Sequence, residues 1–284
     1  MSRILVVGCV SFDTVHLELT GRTIKTIGGA GLYTALAAAK VGAEVTLFAL
    51  KPEPMPDLLK PVEAALTWVG PQVTLEQMPT LEIVHHGEDR ATLLNASWGA
   101  ESLLLPEALR ELINSHFDIT HIAALSSPAR QLDFLNYLKQ VKANQVISVG
   151  TYARAIALDA DTVRELLSGS DAFFMNKNEA NLLYGPDPLS IVPNDYQLIF
   201  VTAGGDGVDL YTSDGEGVQH EHVEAEVVEV LDPTGAGDSF CGAALAGLTI
   251  YINPVAAAQV GTLVASKSIE YEGPSIYFIA DEEG

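Results

Sequence analysis

The chain is poor in cysteine and in positive charge, and it has no long apolar run. Two cysteines cannot make a disulfide framework; Cys9 lies in an apolar run and Cys241 in an expected helix, so both read as reduced core residues. Fifteen Lys and Arg face 37 Asp and Glu, a net charge of −22, which repels a polyanion and excludes nucleic acid as a partner. The acids are dispersed along the chain rather than gathered in a tail, so they read as solvating charge. The longest apolar stretch, Phe240 to Ile252, has thirteen residues, which suits a buried helix and not a membrane span. The N-terminal run is too short and too weakly flanked for a signal peptide, so a cytoplasmic protein is expected. There is no internal repeat and no low-complexity linker. With 48% hydrophobic residues, residues 1–284 are expected to form a single domain with a sizeable core.

Several enzyme signatures are also missing. There is no G-x-x-x-x-G-K-[ST], and Ser127 and Ser239 lack a G-x-S-x-G context. Gly29-x-Gly31 lacks the third glycine and the distant acid of a dinucleotide fold. His85-His86 and His220-x-His222 have no third ligand nearby, so they are expected to be surface or lid histidines and not a metal site.

Short runs apolar on both faces alternate with helical patterns through most of the chain: Ile4–Val7, Val45–Ala49, Ile119–Leu125, Val146–Val149, Ala172–Met175 and Leu198–Thr202. That alternation predicts an α/β fold with a mostly parallel central sheet covered on both sides. Thr14–Ile27 and Thr80–Ser97 instead alternate apolar with polar, the second turning at Gly87-Glu88-Asp89. Period two means one wet face, so two hairpins at about 14–27 and 80–97 are expected to form a small projecting sheet.

The strongest chemical signal is Val227–Gly242, VVEVLDPTGAGDSFCG. A β-branched strand is expected to end at Asp232-Pro233, and a helix to begin near Asp238 and run through Leu248. Glycines at a strand-to-helix turn let backbone N–H groups converge on an anion, reinforced by the helix dipole. An acid facing that anion can take a proton from an attacking hydroxyl; one facing away only caps the helix.

Asp232-Pro233-Thr234-Gly235-Ala236-Gly237-Asp238 resembles the D-T-x-G-A-G-D signature of the ribokinase-like (PfkB) carbohydrate kinases. Further landmarks follow in that family's order: Val7-Gly8 with Asp13, Gly28-Gly29-Ala30-Gly31, Asn176-Lys177-Asn178-Glu179, and Val201-Thr202-Ala203-Gly204-Gly205-Asp206-Gly207. The resemblance implies a three-layer sandwich with the two hairpins as a β lid, and ATP-dependent phosphoryl transfer to a hydroxyl. It implies Asp238 as the base and the amides of Gly235, Ala236 and Gly237 as the anion hole. Asn176 and Glu179 would organise Mg²⁺ through its waters, Asn176 with Thr202, Gly204 and Gly207 would bind the nucleotide, and Asp13, Gly29 and Tyr33 the acceptor.

Three departures bear on the acceptor and on cations. Ala30 and Tyr33 replace the Lys and Asn of a ribose site, and Leu125-Ser126-Ser127-Pro128 lacks its acid. Pro233 stands where the signature has Thr, which leaves a K⁺ site at Asp232 open. The expected acceptor is a sugar or polyol, with a nucleoside as the rival because Phe12 and Tyr33 offer aromatic surface. A catalytically silent nucleotide-binding protein is the third reading, disfavoured by the presence of Asp238. Lid edges can pair between subunits, which allows a homodimer.

Overall fold

The structure is a computed structural model that describes residues 2–87, 90–113, 116–141, 145–251 and 253–279. Ile4, Leu5, Val6 and Val7 are all fully buried, so the first strand needs cover on both faces. The chain supplies it by returning through helices. The first half runs β1 (Arg3–Val7), β2 (Ser11–Leu17), β3 (Arg22–Gly28), α1 (Ala30–Lys40), β4 (Glu44–Phe48), β5 (Lys51–Pro52), α2 (Lys60–Ala65), β6 (Thr67–Val69), β7 (Gln72–Val73), β8 (Thr80–Gly87), β9 (Arg90–Ser97) and α3 (Leu109–Ile113). Then follow β10 (Ile119–Ile122), α4 (Pro128–Gln140), β11 (Val146–Gly150), α5 (Ala153–Leu158), α6 (Ala160–Gly169), β12 (Ala172–Asn176), α7 (Lys177–Tyr184), β13 (Leu198–Thr202), β14 (Val208–Ser213), β15 (Val218–Val223), α8 (Ala236–Tyr251) and α9 (Pro254–Ser268).

Among the described residues, nine strands form the central sheet in the order β15-β14-β13-β12-β11-β10-β1-β4-β6. Every pairing from β13 to β6 is parallel, and β14 and β15 add an antiparallel edge. Helices α1, α8 and α9 pack together, while α4, α5, α6 and α7 form a second group, giving the three layers. No helix among the described residues is long and apolar enough to cross a membrane.

The projecting sheet is more unified than two hairpins. Its order is β3-β2-β8-β9, and a parallel β2–β8 pairing with Val15 opposite Ile83 joins the two halves. Val15, Leu17 and Ile24 give it a small core of its own. Residues 88 and 89 of the expected Gly87-Glu88-Asp89 turn lie outside the described residues, as does Ile252 at the end of the apolar stretch.

Two sequence expectations change. The stretch before the signature is not a strand: Val227 and Val230 are exposed and unpaired, β-branched residues without a neighbour to pack on. The helix begins at Ala236 rather than near Asp238, so Asp238 sits inside its first turn. The β14–β15 edge also escaped the sequence reading, because the five exposed residues from Val218 to His222 show no apolar alternation.

Candidate active site

The carboxyl ends of parallel strands are where an open α/β sheet binds ligands, and Asn176 and Thr202 end β12 and β13 there. The turn before α8 is held by Asp232, which is 1% exposed. Its Oδ1 accepts the Thr234 N–H at 3.0 Å and its Oδ2 the Gly273 N–H at 2.8 Å, tying the turn to the chain after α9. Gly235 has φ +76° and lies on the Tyr33 ring, where an added Cβ would fall 2.4 Å from the ring carbons, so glycine is required twice over. Of the three amides expected to face an anion, Ala236 N–H donates to Pro233 O at a long 3.3 Å. Among the described residues no protein acceptor takes the Gly235 or Gly237 N–H.

Asp238 is half-buried, and no described group hydrogen-bonds its carboxylate. Burial, and then repulsion from Asp13, pushes its pKa up to about 7. The packing of α1 against α8 carries it, with the Thr34 hydroxyl donating to the Asp238 carbonyl at 3.3 Å.

The parallel register sets Asn176 at the end of β12 beside Thr202 at the end of β13. Asn176 and Glu179 form a reciprocal cap on α7. Asn176 Oδ1 accepts the Glu179 N–H at 2.9 Å, Glu179 Oε2 accepts the Asn176 N–H at 2.8 Å, and Asn176 Nδ2 donates to Glu179 Oε1 at 2.7 Å. Burial pushes the Glu179 carboxyl up to about 8 against those hydrogen bonds, with the Asp238 charge adding to the rise. Beyond the cap, Gly204 and Gly207 bracket a tight turn closed by Ala203 N–H to Gly207 O at 2.8 Å. A cleft of about 540 Å³ opens there, lined by Lys177, Ala203, Gly205, Asp206, His222 and Val227 among others. Asn176 and Thr202 thus stand side by side at the strand ends, with Gly204 and Gly207 in the turn that follows Thr202.

Asp13, expected to bind the acceptor, lies within β2 and is 3% exposed. Its Oδ1 accepts the Ser11 hydroxyl at 2.6 Å, and the close approach of Gly28 leaves room for Oδ2. Burial raises its pKa to about 7, opposed by the Ser11 hydrogen bond and helped by the charge of Asp232. Gly29 precedes α1, whose first amides at Leu32 and Tyr33 bond back to it. The expectation that an acceptor stacks on Tyr33 is corrected. Tyr33 is 2% exposed, its ring lies under Gly235, and among the described residues its hydroxyl has no hydrogen-bond partner. Elsewhere Trp98 and Tyr152 form a tilted aromatic pair with ring centroids 6.4 Å apart.

Three features were missed by sequence reasoning. Glu101, shortly after β9, is 4% exposed and accepts the Ser126 N–H at 2.9 Å, although nothing in its neighbouring residues signals a site. The Trp98–Tyr152 pair joins residues too far apart in sequence to be linked by spacing. His85, discounted above, shares a 3.0 Å hydrogen bond with Thr234 Oγ1, so the projecting sheet touches the signature turn. His86 instead bonds Glu18 and Thr92, and His220 and His222 both bond Asp209. Among the described residues no Lys or Arg forms an ion pair with Asp13, Asp232 or Asp238.

A family model described as pfkB family carbohydrate kinase matches residues 1–279. The chain is 27% identical over 256 residues to a cytidine kinase of Thermococcus kodakarensis, covering 87% of this chain and 88% of that protein. Among solved structures, a ribokinase from Cryptococcus neoformans in complex with ADP superposes with a TM-score of 0.80 at 19% identity, covering 98% of this chain and 97% of that one. An adenosine kinase from Sinorhizobium meliloti gives 0.78 at 18% identity, with 96% and 95% covered.

Proposed function

The chain belongs to the pfkB family of carbohydrate kinases, and from that premise we propose that it transfers the terminal phosphoryl group of ATP to a hydroxyl of a nucleoside. The observation that carries the reaction is the unpartnered Asp238 carboxylate beside the open amides of Gly235 and Gly237. Asp238 accepts the proton of the acceptor hydroxyl as its oxygen bonds phosphorus and ADP departs. A base with a pKa near 7 is matched to neutral pH. The two amides, with the α8 dipole behind them, stabilise charge on the transferring oxygens. Asp13 holds hydroxyls of the acceptor, and the cleft beside Thr202, Gly204 and Gly207 takes ATP, as supported by the ADP in the Cryptococcus ribokinase.

Mg²⁺ fits the site in one way. Asn176 and Glu179 are already bonded to each other, so water-mediated contact leaves the cap whole where direct ligation would dismantle it. When bound, Mg²⁺ neutralises phosphate charge. Asp232, a buried carboxylate that two amides balance among the described residues, has the donor chemistry for K⁺. Lid edges β3 and β9 leave ladder groups for a second copy, so a homodimer through the lid is part of this reading.

The nucleoside is favoured over a free sugar by the Trp98–Tyr152 pair, which offers a base an aromatic wall, and by the similarity to a cytidine kinase. A free sugar or polyol is the second reading, because Asp13 asks only for hydroxyls. Free ribose is disfavoured in either case. Ala30 has no polar atom and the Tyr33 hydroxyl is buried under Gly235, and each ribose hydroxyl left without a partner costs about 1–3 kcal/mol. A kinetic panel with ATP and Mg²⁺ over cytidine, adenosine, uridine, inosine, ribose and cyclic polyols tests this. Nucleosides are expected to have the highest kcat/KM. A sugar or polyol at the top overturns the nucleoside reading, and nucleotide binding without turnover on any acceptor favours a silent protein.

A further inference from the structure

Glu101 opens a short turn, Glu101–Leu103, directly after the last lid strand, and it is 4% exposed. A carboxylate that deep needs a cation or several donors. Arg130 lies nearby but is committed elsewhere, its guanidinium donating to the carbonyls of Glu101 and Leu104. The carboxylate therefore has one donor, the Ser126 N–H at 2.9 Å on Oε1, and among the described residues nothing donates to Oε2. Two aromatic residues stand beside this contact. The Tyr152 hydroxyl donates to Leu125 O at 3.1 Å beside Ser126, and its ring faces Trp98. Ser126 follows β10, whose Ile122 lies beside Val7 at the end of β1, and Ala123 N–H donates to Val7 O at 2.9 Å, so Glu101 sits at the sheet edge from which the chain continues to Asp13.

We propose that Glu101 is a specificity-determining residue of the acceptor pocket: Oε2 accepts a hydrogen bond from an exocyclic amine on the base, against the Trp98–Tyr152 wall. This rests on the nucleoside reading above. A carboxylate has only acceptor atoms, so it welcomes an amine and opposes an oxo group at the same position. Discrimination of this kind is strong, because the mismatched pair leaves a buried polar group unpaired.

The test is Glu101→Gln, which keeps an oxygen for the Ser126 N–H and turns the free oxygen into an N–H donor. Steady-state kinetics with the pairs cytidine/uridine and adenosine/inosine, at saturating ATP and Mg²⁺, read the preference. Wild type is expected to favour the amino member. In Glu101→Gln the kcat/KM ratio of amino to oxo should fall by about 10–100-fold, chiefly through KM, with the KM for ATP within about twofold. A residue that merely shaped the 126 loop would lower both members together, and a ratio unchanged within about twofold in the folded variant overturns the assignment. Glu101→Ala serves as the fold control, since it loses the Ser126 bond as well; melting temperature separates that loss from recognition. Should wild type use only a sugar or polyol, the nucleoside reading fails by itself. On that acceptor an unchanged KM in Glu101→Gln overturns the Glu101 role too, whereas a raised KM at unchanged kcat supports it with a hydroxyl as the donor.

Discussion

The signature turn and the proposed acceptor wall both hold buried carboxylates, but they are assembled differently. At residues 232–238 one short stretch of chain supplies nearly everything: Asp232 ties the loop by two backbone amides, Gly235 bends it over Tyr33, and Asp238 follows on the first turn of α8. The acceptor wall collects single side chains from distant elements. Asp13 comes from β2, Trp98 and Glu101 from the return of the lid, and Tyr152 from the loop after β11. A contiguous turn that works through backbone amides constrains the identity and order of its residues. A wall of separate side chains constrains only what each one offers, so it can be rebuilt for a new acceptor while the turn stays as it is.

The largest expected effect separates the two regions. Asp238→Asn should lower kcat by about 10²–10⁴-fold or more, because an amide cannot accept the hydroxyl proton. ATP affinity, measured by calorimetry, should stay within about twofold, since the nucleotide cleft is lined by other residues. Turnover near the wild-type rate would remove Asp238 from the chemical step and leave the turn a mere helix start.

That asymmetry also explains what could be read from the sequence. The turn, the Asn176–Glu179 cap and the glycines at 204 and 207 each lie within a few residues, so their order alone announced them. The strands of the central sheet from β13 to β4 were legible because both faces are buried. Glu101 and Ser126 are 25 residues apart, and His85 and Thr234 are 149 apart. No local spacing predicts such contacts. Tyr33 was misjudged for the same reason: its burial depends on Gly235, far along the chain.

An intermediate effect concerns pH. Asp13 and Asp238 rise to about 7 and Glu179 to about 8 in the folded chain, from ordinary values near 4. Groups with raised folded pKa values contribute stability at low pH and lose it as pH rises through those values. The ligand-free protein should therefore melt higher near pH 5 than at pH 8.5, while kcat/KM falls below about pH 7 as Asp238 takes up a proton. Asp13→Asn removes one buried charge on the acceptor side and should raise the melting temperature at pH 8.5 and shrink its pH dependence. Calorimetric scans across that range check both, and a flat profile in wild type would mean that the acceptor wall does not strain the fold.

The smallest effect should come from the one hydrogen bond that joins the two regions. His85 reaches from β8 to Thr234 Oγ1 at 3.0 Å, and Thr234 N–H in turn bonds Asp232, so the lid rests on the loop that shapes the anion site. Burial lowers the pKa of His85, so the ring is neutral at pH 7 and holds the hydroxyl as a neutral partner. Such a bond contributes about 1 kcal/mol. Cutting it in His85→Ala leaves both halves intact but loosens the lid over the acceptor, so the acceptor KM should rise by about fivefold with kcat changed less than about twofold. His85→Gln keeps a donor and an acceptor and should recover part of that loss. A fall in kcat approaching that of Asp238→Asn would erase the distinction between the regions, because it would put a lid residue in the chemical step; an unchanged KM in both variants would show that the lid closes without this latch.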